Sequence, residues 1–587
     1  MNDAPPREEN PCRPRHYRPD PCGPAPLEGP QRQSLDTSHT RLLITAALFC
    51  LAFSVIGLRL TEITVFKGGE SRLARHDAVV THPALGRANI VDRNGVLLAA
   101  TLETPSLFAN PKQLVDAKID AHDAARKLVR ALPDLDEKEV YDKLASERSF
   151  VWLKRHLTPR EEDQVNRLGI PGLQFQDEGR RVYPEGSLAA HVVGFTDTDN
   201  KGLAGVERGL DDRLRAGGAP VQLSLDARLQ YILREETAKA IGTFNAIGGM
   251  GMIMNVRTGE VMAMVSLPDF DPNLPGSVTQ DTTFNRATLG AYEMGSVFKI
   301  FTIAMALDDH VTTMEGGYDA TNPIRIGRFT IHDDHAQRRY LTVPEIFEYS
   351  SNIGAAKMAL DVGVDRQRDF LGRLGMLREP RFELKEIAQP LVPSPWRPIN
   401  AMTIGFGHGL SVSPLQLAIG VSAVANGGIL HPATLLKQRD GEDAAGVRVM
   451  TNDTSLEMRK LLRLVVERGT GKLANAQGYL VGGKTGTAEK VSGKHYAIHA
   501  LLSSFVGVFP VNDPRYLVLV SIDEPHGNKQ SAGFATGGWI AAPAVKATVE
   551  RMASIVGIQP VDEDAPEIRR SLMVNLPTPP GRKLAAN

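Results

Sequence analysis

Cysteine is nearly absent from this chain. Only Cys12, Cys22 and Cys50 occur in 587 residues, all within the first fifty, so nothing downstream can form a disulfide. A large exported region built this way offers an oxidising compartment no thiol to scramble, and it must hold together by its core alone. Cys12 and Cys22 have no His or Cys cluster beside them, which argues against a zinc site. An excess of charge is missing too: 67 Lys and Arg face 68 Asp and Glu. Nonspecific nucleic-acid binding needs a basic surplus, so nucleic acid is not an expected partner. No internal repeat is found, and no His and Asp stand at a spacing that marks a serine triad.

What is present divides the chain into parts. At this length a single core is exceeded and two or more domains are expected. Residues 1–41 are rich in Pro and charge and cannot bury enough apolar area to offset ordering, so a disordered tail is expected. Leu42 to Leu58 follows without a charge. A spanning helix needs about 20 residues, about 17 at the least, so 42–60 reads as a transmembrane anchor. Gly57-Leu58-Arg59-Leu60 is not a small-x-small cleavage site, which argues against a signal peptide. Arginines lie on both sides of the span; the tail is placed inside, and the long remainder outside the cytoplasmic membrane. Residues 61–218 mix short strands with charged helical stretches such as Thr158 to Leu168. Residues 219–556 alternate strands and helices: Met250 to Val256 and Val261 to Val265 form a hairpin around Arg257-Thr258-Gly259-Glu260, Leu415 to Ala425 a helix, Tyr516 to Ile522 a strand. From 557 to 587 the chain is Pro-rich and polar, so a loose tail is expected.

Three short motifs carry the chemistry. In Ser296-Val297-Phe298-Lys299, residues three apart share a helix face, so hydroxyl and amine can meet. Gly295 lets the chain turn tightly, and Ser296 is expected in the first helical turn, where free N–H groups favour negative charge. A serine needs a base, and a lysine neutralised by burial or by a nearby cation can serve. In Ser350-Ser351-Asn352, Ser350 can relay a proton and Asn352 can hold a substrate amide; capping a helix is the plain alternative. In Lys484-Thr485-Gly486-Thr487, Lys484 supplies positive charge for a carboxylate and helps keep Lys299 neutral, Thr485 and Thr487 supply hydroxyls, and Gly486 admits a close backbone on an edge strand; a turn is the plain alternative. Each triplet alone is weak. In this order and at these separations they mark penicillin-binding proteins and serine β-lactamases. Two other clusters weigh less. Gly469-Thr470-Gly471-Lys472 lacks the Ser or Thr that follows the lysine in a phosphate loop. His332-Asp333-Asp334-His335 holds metal-capable side chains but reads as a solvated loop. His495 and His499 read as surface histidines.

Beyond the triplets, Gly86-Arg87-Ala88-Asn89-Ile90-Val91-Asp92-Arg93-Asn94-Gly95 resembles the signature opening the pedestal of class B penicillin-binding proteins. Arg181-Val182-Tyr183-Pro184, His191 to Gly194 and Gly205-Val206-Glu207 look like later pedestal motifs. Leu225-Asp226 with Gln230, Gly405 to Gly409 and Ser413-Pro414-Leu415-Gln416 fit the catalytic domain. The resemblance covers about residues 42 to 556, and its wording is most similar to the FtsI-type septal transpeptidases. Met294 departs from it, standing where the family has proline. The fold it implies is α+β and multidomain: one N-terminal transmembrane helix, an elongated mixed α/β pedestal (61–218), and a penicillin-binding domain (219–556) with an antiparallel sheet flanked by helices, as in serine β-lactamases. The activity it implies is peptidoglycan D,D-transpeptidation through an acyl-enzyme on Ser296. Lys299 is then the base, Ser350 the relay, and the backbone N–H groups of Ser296 and Thr487 the oxyanion hole. No cofactor or metal is required. The implied partners are stem peptides, β-lactams as covalent mimics, an FtsW-type glycosyltransferase and other divisome proteins. The alternatives are an elongation transpeptidase, a carboxypeptidase or β-lactamase on the same fold, and a non-enzymatic penicillin sensor or divisome scaffold.

Overall fold

A computed structural model describes residues 43–44, 46–58, 86–327, 329–439, 444–492 and 495–574. The chain divides into two compact units, Met1–His82 and Pro83–Asn587. In the first, residues 43–44 and 46–58 are helical and their apolar side chains, such as Leu48, Phe49, Leu51 and Phe53, are exposed. Among the described residues no helix is long and apolar enough to cross a membrane; the expected anchor over 42–60 reaches past the described residues at both ends and at Thr45. The expected tail over 1–41 lies outside the described residues altogether.

The second unit begins with a five-stranded sheet. Its strands are β1 (Ile90–Val91), β2 (Leu97–Ala109), β3 (Val151–Lys154), β4 (Leu173–Val182) and β5 (Val221–Gln222). The order is β3-β2-β1-β5, with β4 on β2. Helices α1 (Ala121–Ala131), α2 (Glu137–Leu144) and α3 (Pro159–Asn166) bury Leu128, Val140, Leu144 and Val165 against Leu107 and Leu153. The charged stretch read as helical from Thr158 is α3. It starts at a capping box in which the Thr158 hydroxyl and the Glu161 carboxylate each accept the other's backbone N–H, satisfying two otherwise orphaned donors. A boundary at 218/219 falls just before β5, whose parallel pairing with β1 carries this sheet a few residues further.

Three of the sequence signatures meet in one buried ion cluster. Glu207 is fully buried; Arg87 Nε donates to one carboxylate oxygen and Arg181 Nε to the other, the latter at 2.7 Å. Arg87 also reaches Asp211. Removing one partner of a buried pair strands the others' charge, at a cost of about 3–5 kcal/mol. Glu207→Ala is therefore expected to destabilise the protein by about that amount in urea unfolding; a change under about 1 kcal/mol would contradict this reading.

The rest of this unit is built on α4 (Ala227–Thr243), β6 (Gly248–Asn255), β7 (Val261–Leu267), α5 (Lys299–Asp308), α6 (Val343–Glu348), α7 (Asn352–Val362), α8 (Pro414–Ala425), α9 (Asn452–Glu467), β8 (Gly482–Ser492), β9 (His495–Phe509), β10 (Tyr516–Asp523) and α10 (Gly537–Met552). The sheet order is β8-β9-β10-β6-β7, antiparallel throughout. Side chains alternate between its two faces. Leu517 and Leu519 of β10 join the cluster holding α5, α8 and α9, while Val518, Val520 and Ile522 join the one holding α4 and α10. Residues Lys299 to Leu307 of α5 are all buried, as expected of a helix apolar on every side. This places Lys299, its first residue, inside the core.

The expectation of a loose tail from 557 is corrected as far as Val574. Glu563 pairs at 2.7 Å with the buried Arg463 and accepts the N–H of Gly478 at 2.6 Å. Pro566 opens a further helix, α11 (Pro566–Leu572), and Ile568, Leu572 and Val574 pack on the main core. Proline read as a sign of disorder is here the first residue of a helix, where its missing N–H costs nothing. Residues 575–587 lie outside the described residues.

Candidate active site

Ser296 sits in a 3-10 turn, Gly295–Phe298, and the α-helix begins only at Lys299. The expected place in the first α-helical turn is thus corrected to the tighter turn before it. The turn is pressed against β8. Gly295 has φ +54, and a Cβ there would lie 2.5 Å from the Thr487 carbonyl; a Cβ on Gly486 would lie 2.7 Å from the Met294 carbonyl. Only glycine at both positions lets the nucleophile turn and the Lys-Thr-Gly strand touch. Met294 is buried with φ −94 and ψ 2.

Lys299 is fully buried. Its Nζ lies 2.8 Å from Ser296 Oγ, 3.0 Å from Ser350 Oγ, 2.6 Å from the Ser350 carbonyl and 2.7 Å from Asn352 Oδ1. Burial pulls its pKa down to about 7, with Asp333 and Asp334 opposing. On the other side of Ser350, Lys484 Nζ donates to the same hydroxyl at 3.0 Å and lies 5.7 Å from the centroid of Phe347. Burial first, and the neighbouring Lys299 second, hold Lys484 well below an ordinary lysine. Two ammonium groups flanking one hydroxyl cannot both be charged cheaply, which opposes full protonation of the pair. Ser350 holds this bridge with φ +58, a strained backbone of the kind found at functional sites.

The Ser-Ser-Asn segment is pinned by a residue that sequence reasoning set aside. His332, Asp334 and His335 are exposed, but Asp333 is buried. Its carboxylate accepts the Ser351 hydroxyl at 2.7 Å and the Ile353 N–H at 2.9 Å, while Asn352 Nδ2 donates to the His332 carbonyl at 3.0 Å. The loop read as solvated is in this respect structural. It also fixes the Asn352 amide so that Oδ1 faces Lys299. Both polar atoms of Asn352, expected to hold a substrate amide, also contact the protein. Ser351 caps α7 by accepting the Gly354 N–H at 3.0 Å.

The last motif lies on β8, which ends the sheet, so alternate backbone groups face away from the neighbouring strand. Thr485 Oγ1 is 2.7 Å from Thr470 Oγ1, and Thr487 Oγ1 accepts the N–H of Gly537 at 3.1 Å. The structure therefore gathers Ser296, Lys299, Ser350, Asn352 and Lys484 into one hydrogen-bonded group, with Thr485, Gly486 and Thr487 on the adjoining strand. The side chains of His495 and His499 lie outside the described residues. Thr470 and Asp333 were not predicted; neither belongs to a recognisable triplet. A separate cavity of about 620 Å³ between α9 and α11, lined by Arg463, Arg468, Lys472, Ile568 and Leu572, holds none of the predicted site residues.

Residues 249–549 match the family model of the penicillin binding protein transpeptidase domain, and residues 83–241 that of the penicillin-binding protein dimerisation domain. The chain belongs to the penicillin-binding protein family. Among curated relatives of this penicillin-binding protein is the probable peptidoglycan D,D-transpeptidase FtsI of Caulobacter vibrioides, 40% identical over 537 residues, covering 89% of this chain and 90% of that protein. The transpeptidase domain of Burkholderia pseudomallei penicillin-binding protein 3 superposes with a TM-score of 0.52 at 34% identity, over 58% of this chain and 98% of that one. Penicillin binding protein 3 of Mycobacterium tuberculosis, solved with ampicillin, has a TM-score of 0.66 at 24% identity, over 84% of this chain and 99% of that one. That likeness speaks for the two-domain fold alone.

Proposed function

We propose that this penicillin-binding protein is a serine-type peptidoglycan D,D-transpeptidase of septal wall synthesis, working through Ser296. One observation carries the assignment: a fully buried lysine, held near neutrality, stands 2.8 Å from the Ser296 hydroxyl. A neutral amine there can take the serine's proton as the oxygen attacks. The target is the carbonyl of the penultimate D-Ala of a stem peptide. Ser350, 3.0 Å from both lysines, then passes a proton to the departing amine of the terminal D-Ala. An amine of a neighbouring stem attacks the acyl-enzyme, forming the cross-link and releasing Ser296. The backbone N–H groups of Ser296 and Thr487 serve as the oxyanion hole; one such donor is worth a factor of about 10²–10³. Lys484, Thr485, Gly486 and Thr487 bind the donor peptide, and Asn352 orients Lys299. β-Lactams acylate the same oxygen. The same reading places 61–218 as pedestal and 219–556 as catalytic domain.

The septal assignment draws on the FtsI relative. A single membrane anchor over 42–60, with the first residues in the cytoplasm and the catalytic domain outside, is supported by the uncharged run Leu42 to Leu58 and by the exposed apolar side chains of its helical residues. An FtsW-type glycosyltransferase and other divisome proteins are the partners this placement implies.

The test is transfer itself. Supplied with an acyl-D-alanyl thiolester donor and a D-amino acid acceptor, the protein is expected to release thiol and form the new amide, followed by mass spectrometry. Thiol release with hydrolysis only would make it a carboxypeptidase; rapid turnover of a chromogenic cephalosporin would make it a β-lactamase.

A further inference from the structure

The Gly-Thr-Gly stretch at 469–471 is no phosphate loop, yet it reaches the active site. Gly469 and Gly471 follow α9, with N–H groups returned to Leu464 and Val465. A Cβ on Gly469 would lie 2.8 Å from the Glu348 carbonyl, and one on Gly471 3.0 Å from the Phe505 ring. The loop is squeezed between α6, which leads to Ser350, and β9, which backs β8. Between the glycines, Thr470 Oγ1 sits 2.7 Å from Thr485 Oγ1.

A threonine hydroxyl has two lone pairs and one proton. Between Thr470 and Thr485 either oxygen can be the donor, and Lys484 Nζ donates to Thr485 Oγ1 at 3.4 Å, a long contact. When Thr470 is the donor, both contacts fall on lone pairs of Thr485, and its one proton is left to point away from them. We propose that Thr470 is a positioning residue: its hydroxyl donates to Thr485 and thereby aims the Thr485 proton at the terminal carboxylate of the donor peptide, or at the carboxylate of a penicillin. This rests on the proposed acylation of Ser296 and adds how the anionic end of the substrate is recognised. Pre-aiming a donor saves the ordering it would otherwise require on binding, and a hydrogen bond to a charged acceptor is among the stronger kinds.

The experiment compares acylation by benzylpenicillin with acylation by its methyl ester, which lacks the charged acceptor, in the full-length protein. Thr470→Val keeps the shape and removes the hydroxyl; Thr470→Ser restores it, and Thr470→Ala serves if the valine variant does not fold. Thr470→Val is expected to slow acylation by the acid about tenfold, the scale of one hydrogen bond to a charge, to leave the ester's rate unchanged, and to be rescued by serine. Equal slowing of acid and ester, or no slowing of either, would overturn the proposal. If the wild type is not acylated on Ser296 at all, it is the underlying acyl-enzyme reading that fails.

Discussion

Ser296→Ala is expected to abolish covalent labelling by penicillin completely, with the protein still folded. The fold should survive because Lys299 Nζ keeps three other oxygen partners, the Ser350 carbonyl, Ser350 Oγ and Asn352 Oδ1, so no buried donor is stranded. The chemistry should not survive. Ser350 Oγ is the other hydroxyl touching Lys299, but it is held between two lysine nitrogens, and Ser351 Oγ is committed to Asp333 and to the Gly354 N–H. Intact-protein mass after benzylpenicillin should show an adduct on the wild type and none on the variant. An adduct that persists, mapped to another serine, would displace Ser296 as nucleophile.

Lys299→Met is expected to slow acylation by about 10²–10⁴-fold, the worth of a positioned general base. Methionine preserves most of the volume in the core while removing the amine, so loss of rate is separable from collapse of the site by checking that the variant melts cooperatively. The same lysine makes stability depend on pH. Its pKa is lowered from 10.5 to about 7 on folding, so between those values the unfolded chain binds more protons than the native one. The stability associated with Lys299 is therefore fully present above the unfolded value, declines as pH falls through this window, and is gone below about 7. Lys299→Met should flatten that slope in denaturant titrations from pH 7 upward. A variant that acylates within a factor of about three of wild type would remove Lys299 from the base role.

How much of this was legible in the sequence follows from the range of each interaction. The three triplets are local, and Ser296 and Lys299, three residues apart, meet as the periodicity requires. The hairpin of β6 and β7, the capped helix α3 and the buried strand β10 were readable because each announces itself over a few residues. Asp333 was not. Its partners Ser351 and Ile353 are 18 and 20 residues away, and a loop of two histidines and two aspartates looks solvated until one carboxylate is seen turned inward. Thr470 pairs with Thr485 across 15 residues and two different elements, and its flanking glycines reflect crowding that only packing reveals. The ordered stretch from 557 to 574 was misread because its prolines precede a helix held by tertiary contacts, from Glu563 to Arg463 and from Ile568 and Leu572 to the core. Ser296 lies in a 3-10 turn because contact with Thr487 and Gly486 sets the geometry, and no helix propensity encodes that contact.

Attack by Ser296 requires a buried amine that is neutral at that moment, and the pH dependence of penicillin acylation measures this directly. The second-order rate constant should rise through a midpoint near 7, falling about tenfold per pH unit below it, with the midpoint absent in Lys299→Met. A wild-type midpoint near 10, or a rate flat from pH 5 to 9, would show that Lys299 is not the group that takes the proton from Ser296.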